Sequence, residues 1–208
     1  SPIAKKPLYD AGFPHPGHTE FLGHLAGGAR PVMMLAGPEL RAVPVTVHVA
    51  LAKVPRLLTR ADIVETARIV ARDLKRRFGI ARPRLAVAGL NPHAGENGLF
   101  GRDEIEMITP TLEAIRASGI DCTGPIPADV IFIRARDGGF DGVVSMYHDQ
   151  GQIATKLLGF NQGVTVTAGL SAVFTTPAHG TAFDIAGEGV ADPGAMRRAL
   201  ELAATLAR

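Results

Sequence analysis

Three of the chain's seven histidines stand next to turns that open helices. His93 lies in GLNPHAGENG (89–98), His148 in MYHDQG (146–151) and His18 in PGHTEFL (16–22). Neutral imidazole ligates zinc and similar divalent ions. Three such ligands leave one coordination position open, as catalytic metal sites require. Taken singly, each histidine also reads as a capping or surface residue, and their wide separation in sequence does not decide the matter. The 89–98 stretch holds three glycines and admits three readings: a phosphate cradle, a metal-ligand loop or a tight turn. A phosphate cradle would carry a lysine at the start of its helix, and no GxxxxGK[ST] pattern occurs in the chain. The parallel case of YHDQG favours a sharp turn at the strand's end in which Asn91 and Pro92 aim His93 into the cleft.

Two polar residues accompany His148. Asp149 either orients the imidazole or caps the helix that follows. Lys156 lies eight residues after His148, slightly over two helical turns, and so roughly on the same side. It either faces solvent, neutralises an anionic substrate or moves a proton. His15 and His24 read as surface residues. His48 reads as structural, or as a group behind the ligands in the same crevice.

The elements that must position these residues alternate. Residues 32–36 form a short buried strand, and 42–50 alternate with Val43, Val45, Val47 and Val49 on one face. A helix over 61–78 carries the stripe Ile63, Ala67, Val70, Leu74 and Phe78, stopped by Gly79. A buried strand over 85–90 runs into the His93 loop. A helix from Asp103 follows, with Asp103 as N-cap, Glu106 completing a capping box and Pro110 inside. Residues 130–133 and 142–146 read as strands, 150–158 as a helix and 164–168 as a strand. Asp192-Pro193 opens a last helix with Met196, Leu200, Ala203 and Leu206 inward. Alternating strands and helices imply an α/β fold with largely parallel pairing. In such sheets ligands sit beyond the carboxyl ends of the strands, where His93 and His148 emerge.

Composition narrows the function. The chain has 208 residues, 46% of them hydrophobic, enough for a substantial core. Net charge is +2 and aromatic content 5% without tryptophan, which suggests no nucleic-acid or membrane partner. The densest basic cluster, Arg68, Arg72, Lys75, Arg76 and Arg77, reads as a solvated helix face. A lone cysteine, Cys122, excludes an internal disulfide and a multi-cysteine zinc site. A cytoplasmic protein is the expectation. Residues 177–193, PAHGTAFDIAGEGVADP, are glycine-rich but lack GxGxxG. Small residues there would let backbone approach a planar ligand, and Asp184 could accept from ribose hydroxyls.

HGTAFDIAGEGVADP resembles the loop that binds the adenosine half of NAD in isocitrate and isopropylmalate dehydrogenases. GHTEFL, GLNPHAGE and YHDQG, taken together and in order, resemble the 4-hydroxythreonine-4-phosphate dehydrogenase family within that superfamily. The resemblance runs from PIAKK to the last helix. It implies two α/β domains flanking a cleft, with 1–146 as the second domain and 147–208 as the C-terminal part of the first. It implies a divalent metal (Zn, Co or Mg) on His18, His93 and His148. It implies substrate contact by Lys156, with Lys5 and Thr165 among the substrate-binding residues and Asp149 beside Lys156 in catalysis. It implies NAD or NADP contacts from His179, Gly180, Thr181, Ala182, Asp184 and Ile185, with Asp192 where relatives often carry Asn. It implies a homodimer whose active site uses both subunits, acting on a small anionic substrate.

Three departures from the pattern stand out. The family has a substantial segment before PIAKK, so this chain reads as a fragment with an incomplete first domain. Thr165 replaces an asparagine and Phe174 an arginine, both of which bind the substrate's anionic end in the family. Losing an arginine that pairs bidentately weakens phosphate binding. Substrates within expectation are therefore 4-phosphooxy-threonine first, then a phosphorylated four-carbon sugar acid or a carboxylated cis-dihydrodiol. Outside the class stand a metal-dependent lyase or hydrolase without NAD, and a self-associating fragment without activity.

Overall fold

Strands β1 (Val32–Ala36), β2 (Arg41–Thr46), β3 (Arg84–Ala88), β4 (Asp121–Ile126), β5 (Gly142–Tyr147), β6 (Val164–Ala168) and β7 (Thr175–Pro177) form one sheet, in the order β4-β3-β5-β2-β1-β6-β7. The computed structural model describes residues 3–15, 17–159 and 163–207; Pro2 and Pro16 of the family-like motifs lie outside them. Pairing among β4, β3, β5 and β2 is parallel. β1 runs antiparallel to both β2 and β6, and β7 antiparallel to β6. Strands from 1–146 and from 147–208 thus join one sheet, through the β1–β6 pairing from Val32↔Ala168 to Ala36↔Val164.

The helices are α1 (Lys5–Asp10), α2 (His18–Leu25), α3 (Val54–Leu57), α4 (Arg60–Arg76), α5 (Thr109–Ala117), α6 (Ala128–Arg136), α7 (His148–Gly159) and α8 (Gly194–Leu206). Strand side chains alternate between two helical layers. Val43, Leu85, Val87, Val144 and Met146 pack with α4, α5 and α8 through Ile63, Leu74, Leu112, Ile115 and Ala199. Ala42, Ala86, Ala88 and Val143 face the other way, onto Ile131, Phe132 and Ala135 of α6 and Ala154 of α7. Both faces of the central strands are dry, as parallel sheets require. Each fully buried Leu or Ile there contributes about 1.5–3 kcal/mol. No described helix is long and apolar enough to cross a membrane.

Some elements differ from expectation. Residues 130–133 belong to α6, not a strand: Ile131, Phe132 and Ala135 are buried at helical spacing while Val130 and Ile133 stay exposed. β2 stops at Thr46 rather than residue 50, because its partner β5 turns into α7 after Tyr147. Asp103 has helical backbone and makes no cap bond; a π-helical turn, Glu104–Ile108, precedes α5. Pro110 sits in the first turn of α5, where its missing N–H cannot serve the Glu106 carbonyl; Arg60 donates to that carbonyl instead. α8 buries Ala195, Ala199 and Leu206, while Leu200 remains exposed.

One ion pair ties the starts of two central strands. Arg84 donates to both Asp141 oxygens at 3.1 Å, and its backbone N–H adds a bond of 2.8 Å. Burial works to raise the Asp141 pKa, but the Arg84 bonds and the charge of Arg41 outweigh it and hold the carboxyl below its ordinary range. A lowered folded pKa means the unfolded chain protonates first. Its stabilisation is therefore present above pH 3.8 and lost as pH falls through the folded value. Asp141→Asn should lower the urea midpoint at pH 7. That deficit should shrink towards pH 3, and a deficit independent of pH would contradict the assignment.

Candidate metal and substrate site

The parallel strands β2, β3 and β5 end on one edge, so the segments after Thr46, Ala88 and Tyr147 emerge together. β1 runs the other way and starts at that edge, which brings α2 and His18 to it. A cavity of about 290 Å³ opens there, lined by His48, Tyr147, His148 and Asp149 against Leu51 and Val54. The His48 and His148 rings lie 5.9 Å apart, and the His18 ring stands 6.1 Å from Phe174. His148 is the first residue of α7, and its Nδ1 lies 2.6 Å from Asp149 Oδ1. A carboxylate there keeps the proton on Nδ1 and leaves Nε2 as the lone-pair nitrogen.

The electrostatics favour the neutral form of His48 and of His18. Burial lowers the His48 pKa, the positive charge of Lys5 and His148 adds, and Glu20 opposes. Burial also lowers His18, with Lys5 adding. Glu20 Oε2 is buried without a hydrogen-bond partner, beside Gly17, which Lys5 also overlies. An unpaired buried carboxylate oxygen is costly. A carboxylate oxygen in need of a partner, near imidazoles, suits a divalent cation. Yet among the described residues no three His, Cys, Asp or Glu groups come together closely enough to hold a metal ion.

His93 stands at the head of a strained loop. Six consecutive residues, His93 to Gly98, have positive φ, and four of them are not glycine. Each such residue costs about 1–2 kcal/mol. A buried carboxylate holds the loop in place. Glu104 Oε1 accepts from the backbone N–H of Leu90 and of Asn91, each at 2.7 Å. Its Oε2 accepts from Asn91 Nδ2 at 3.1 Å, and the same amide donates to Asp103 at 2.9 Å. A side chain at Gly95 would lie 2.5 Å from Glu104 Oε2 and one at Gly89 2.8 Å from Ala94, so these glycines serve close packing around the carboxylate. Gln150 then links the two histidine segments. Its Oε1 accepts from Met146 N at 2.7 Å and its Nε2 donates to the Gly89 carbonyl at 2.8 Å. The His93 side chain itself is 67% exposed, near Glu96 and Phe100.

The other expected residues are dispersed. Lys156 is half-buried on α7, and Lys5 is exposed on α1 beside the histidine corner. Thr165 sits in β6, opposite Leu35 and Thr176. The loop with His179, Gly180, Thr181, Ala182, Asp184 and Ile185 leaves β7 at Pro177, level with Val164 and Ala36, the strand end away from His148. There His179 Nδ1 lies 2.8 Å from the Gly180 carbonyl, and Ala182 is left-handed. Asp192 accepts from Gly194 N at 2.8 Å and so caps α8. Glu104, Gln150 and Glu20 are the site residues that motif reading passed over, since only long-range contact reveals them.

A mixed sheet between two helical layers, with imidazoles at the carboxyl ends of its parallel strands, defines an α/β protein of the isocitrate/isopropylmalate dehydrogenase-like fold. Residues 1–203 match the family model for "Pyridoxal phosphate biosynthetic protein PdxA", and the chain belongs to that family. It is 54% identical, over 213 residues and its whole length, to the 4-hydroxythreonine-4-phosphate dehydrogenase of Caulobacter vibrioides, of which it covers 64%. A crystal structure of 4-hydroxythreonine-4-phosphate dehydrogenase from Klebsiella pneumoniae superposes with a TM-score of 0.90 at 45% identity, covering 100% of this chain and 62% of that one. A terephthalate 1,2-cis-dihydrodiol dehydrogenase from Burkholderia xenovorans LB400 superposes with a TM-score of 0.74 at 35% identity, covering 91% and 60%. The chain thus spans less than two thirds of the length of these relatives.

Proposed function

We propose that this chain forms part of a cytoplasmic, homodimeric, NAD-dependent dehydrogenase that oxidises the hydroxyl of 4-phosphooxy-threonine, with loss of CO₂, in pyridoxal phosphate biosynthesis. The observation that carries the reading is the pair of imidazoles, His48 and His148, on the strand-end edge beside α2 and His18, in a chain of this family. His18, His93 and His148 would hold a divalent ion. Such an ion would supply Lewis-acid polarisation of the substrate hydroxyl, and a bound NAD or NADP would supply the hydride acceptor. The incomplete ligand group in one chain supports a site shared between two copies. The range 1–146 supplies His18 and His93, and 147–208 supplies His148 and the loop for the dinucleotide, with Asp184 on ribose hydroxyls.

The chain's own groups then have defined tasks. Asp149 holds the His148 ring by its 2.6 Å contact. Lys156, with Lys5 and Thr165, meets the anionic end of the substrate. The alcohol carbon gives up its hydride and the hydroxyl its proton, leaving a β-keto acid. Loss of CO₂ places the electron pair on the former carbonyl, and a proton returns to carbon.

A second reading has its own support. Phe174, 6.1 Å from His18, puts an aromatic ring where a phosphate would want a cation. A carboxylated cis-dihydrodiol, the substrate type named for the Burkholderia xenovorans relative, tolerates that ring better. Turnover decides between them. The full chain should reduce NAD with 4-phosphooxy-threonine, stop on chelation and resume when a divalent ion is restored. Faster turnover of the dihydrodiol would favour the second reading, and absence of NAD binding by calorimetry would sink both.

A further inference from the structure

We propose that the cavity between α4, α8 and the β1–β2 turn binds a small molecule bearing a phosphate monoester dianion. The cavity holds about 440 Å³, a volume that takes a small metabolite. It lies where β1 ends and β2 begins, at the strand ends away from His48 and His148. Arg41 at the start of β2, Arg77 at the end of α4 and Arg198 on α8 line it, against one carboxylate, Glu201. Three cations against one anion leave a lining charge of two positive. A phosphate monoester carries about −1.5 to −2 near neutral pH and matches that charge.

Arg41 is a shielded cation with an unmet donor. Its Nη1 donates to the Asp141 carbonyl at 3.2 Å, and its guanidinium carbon stands 4.9 Å over the Phe78 ring. Its Nε is fully shielded and has no acceptor. The carboxylate of Asp141 is engaged by Arg84 through both oxygens. Burial lowers the Arg41 pKa, with Asp141 opposing, which is the mark of a shielded and under-compensated cation. Arg77 is already fixed by bonds to the carbonyls of Ser171 at 2.7 Å and Leu170 at 3.3 Å. Arg198 makes no hydrogen bond or ion pair among the described residues and is exposed on α8. Guanidinium forks around one cavity bind phosphate oxygens in paired, charge-assisted bonds.

Calorimetric titration of the full chain with glycerol 3-phosphate and with inorganic phosphate, at constant ionic strength, tests the site. Wild-type protein should show a saturable phase that Arg198→Ala weakens at least tenfold. Arg197→Ala, next along α8 but not lining the cavity, should leave it unchanged. Arg198 is exposed, so its loss should not unfold the chain, and a thermal melt of each variant confirms that. Absence of a saturable phase in the wild type, equal affinity in Arg198→Ala, or equal weakening by Arg197→Ala would each overturn the proposal. Phosphate held only at the dehydrogenase site would show as equal affinity and so counts against it.

Discussion

Replacing Glu104 by alanine should lower the melting temperature by roughly 10 °C, since about 3–5 kcal/mol shifts a domain of this size by that much. The estimate follows from what the carboxylate holds. It accepts two backbone N–H groups and one side-chain amide within a region that is 2% exposed at Glu104 itself. Alanine leaves the Leu90 and Asn91 donors without their acceptor and removes the opposing pull on six residues of positive φ. Amides of residues 90–98 should therefore exchange with solvent far faster than those of α4, which shares none of these bonds. Glu104→Gln should fall between, because its Oε1 can still serve both backbone donors while its new NH₂ faces that of Asn91. A melting temperature within 2 °C of wild type for Glu104→Ala would contradict this account of the loop.

The second large effect concerns the histidines. His93→Ala and His148→Ala should each remove the bound ion and reduce turnover by at least a thousandfold, on the order expected when a Lewis acid is lost. Stability should change little in either case. His93 is mostly exposed, and His148 contacts its neighbour Asp149 and stands beside the His48 ring without a buried hydrogen bond of its own among the described residues. That contrast separates the histidines from Glu104, whose loss should cost stability first and metal second. Retention of a stoichiometric ion by His93→Ala would remove this residue from the ligand set.

What could be read from sequence followed the strength of local patterns. β1, β3 and β5 are short, mainly apolar runs and β6 alternates valine with threonine, and these local patterns made their positions visible. β4, Asp-Cys-Thr-Gly-Pro-Ile, is a polar edge strand with no such run, so only its pairing with β3 defines it. The Val-Ile-Phe-Ile run at 130–133 has no period that separates helix from strand, and the open face beside β3 and β5 decides for a helix. In α8 apolar residues cover more than one face, which put the inward stripe on Met196 and Leu200 instead of Ala195 and Ala199. The histidines were legible because their motifs are local. Glu104 and Gln150 were not, because each acts on backbone groups 13 to 61 residues away. Likewise, how far apart such groups lie among the described residues is a property of three-dimensional placement and leaves no trace in spacing.

The shared site can be tested by mixing two inactive proteins. Full chains carrying His93→Ala and His148→Ala are unfolded together, refolded as a mixture and assayed for NAD reduction. If His93 and His148 of one site come from different copies, a mixed dimer holds one intact site and one doubly defective site. Random pairing then restores about a quarter of wild-type turnover, since half the dimers are mixed and each has one of two sites. Recovery near that level is the predicted result, and a mixture as inactive as either parent would contradict a metal site that draws these two histidines from different subunits.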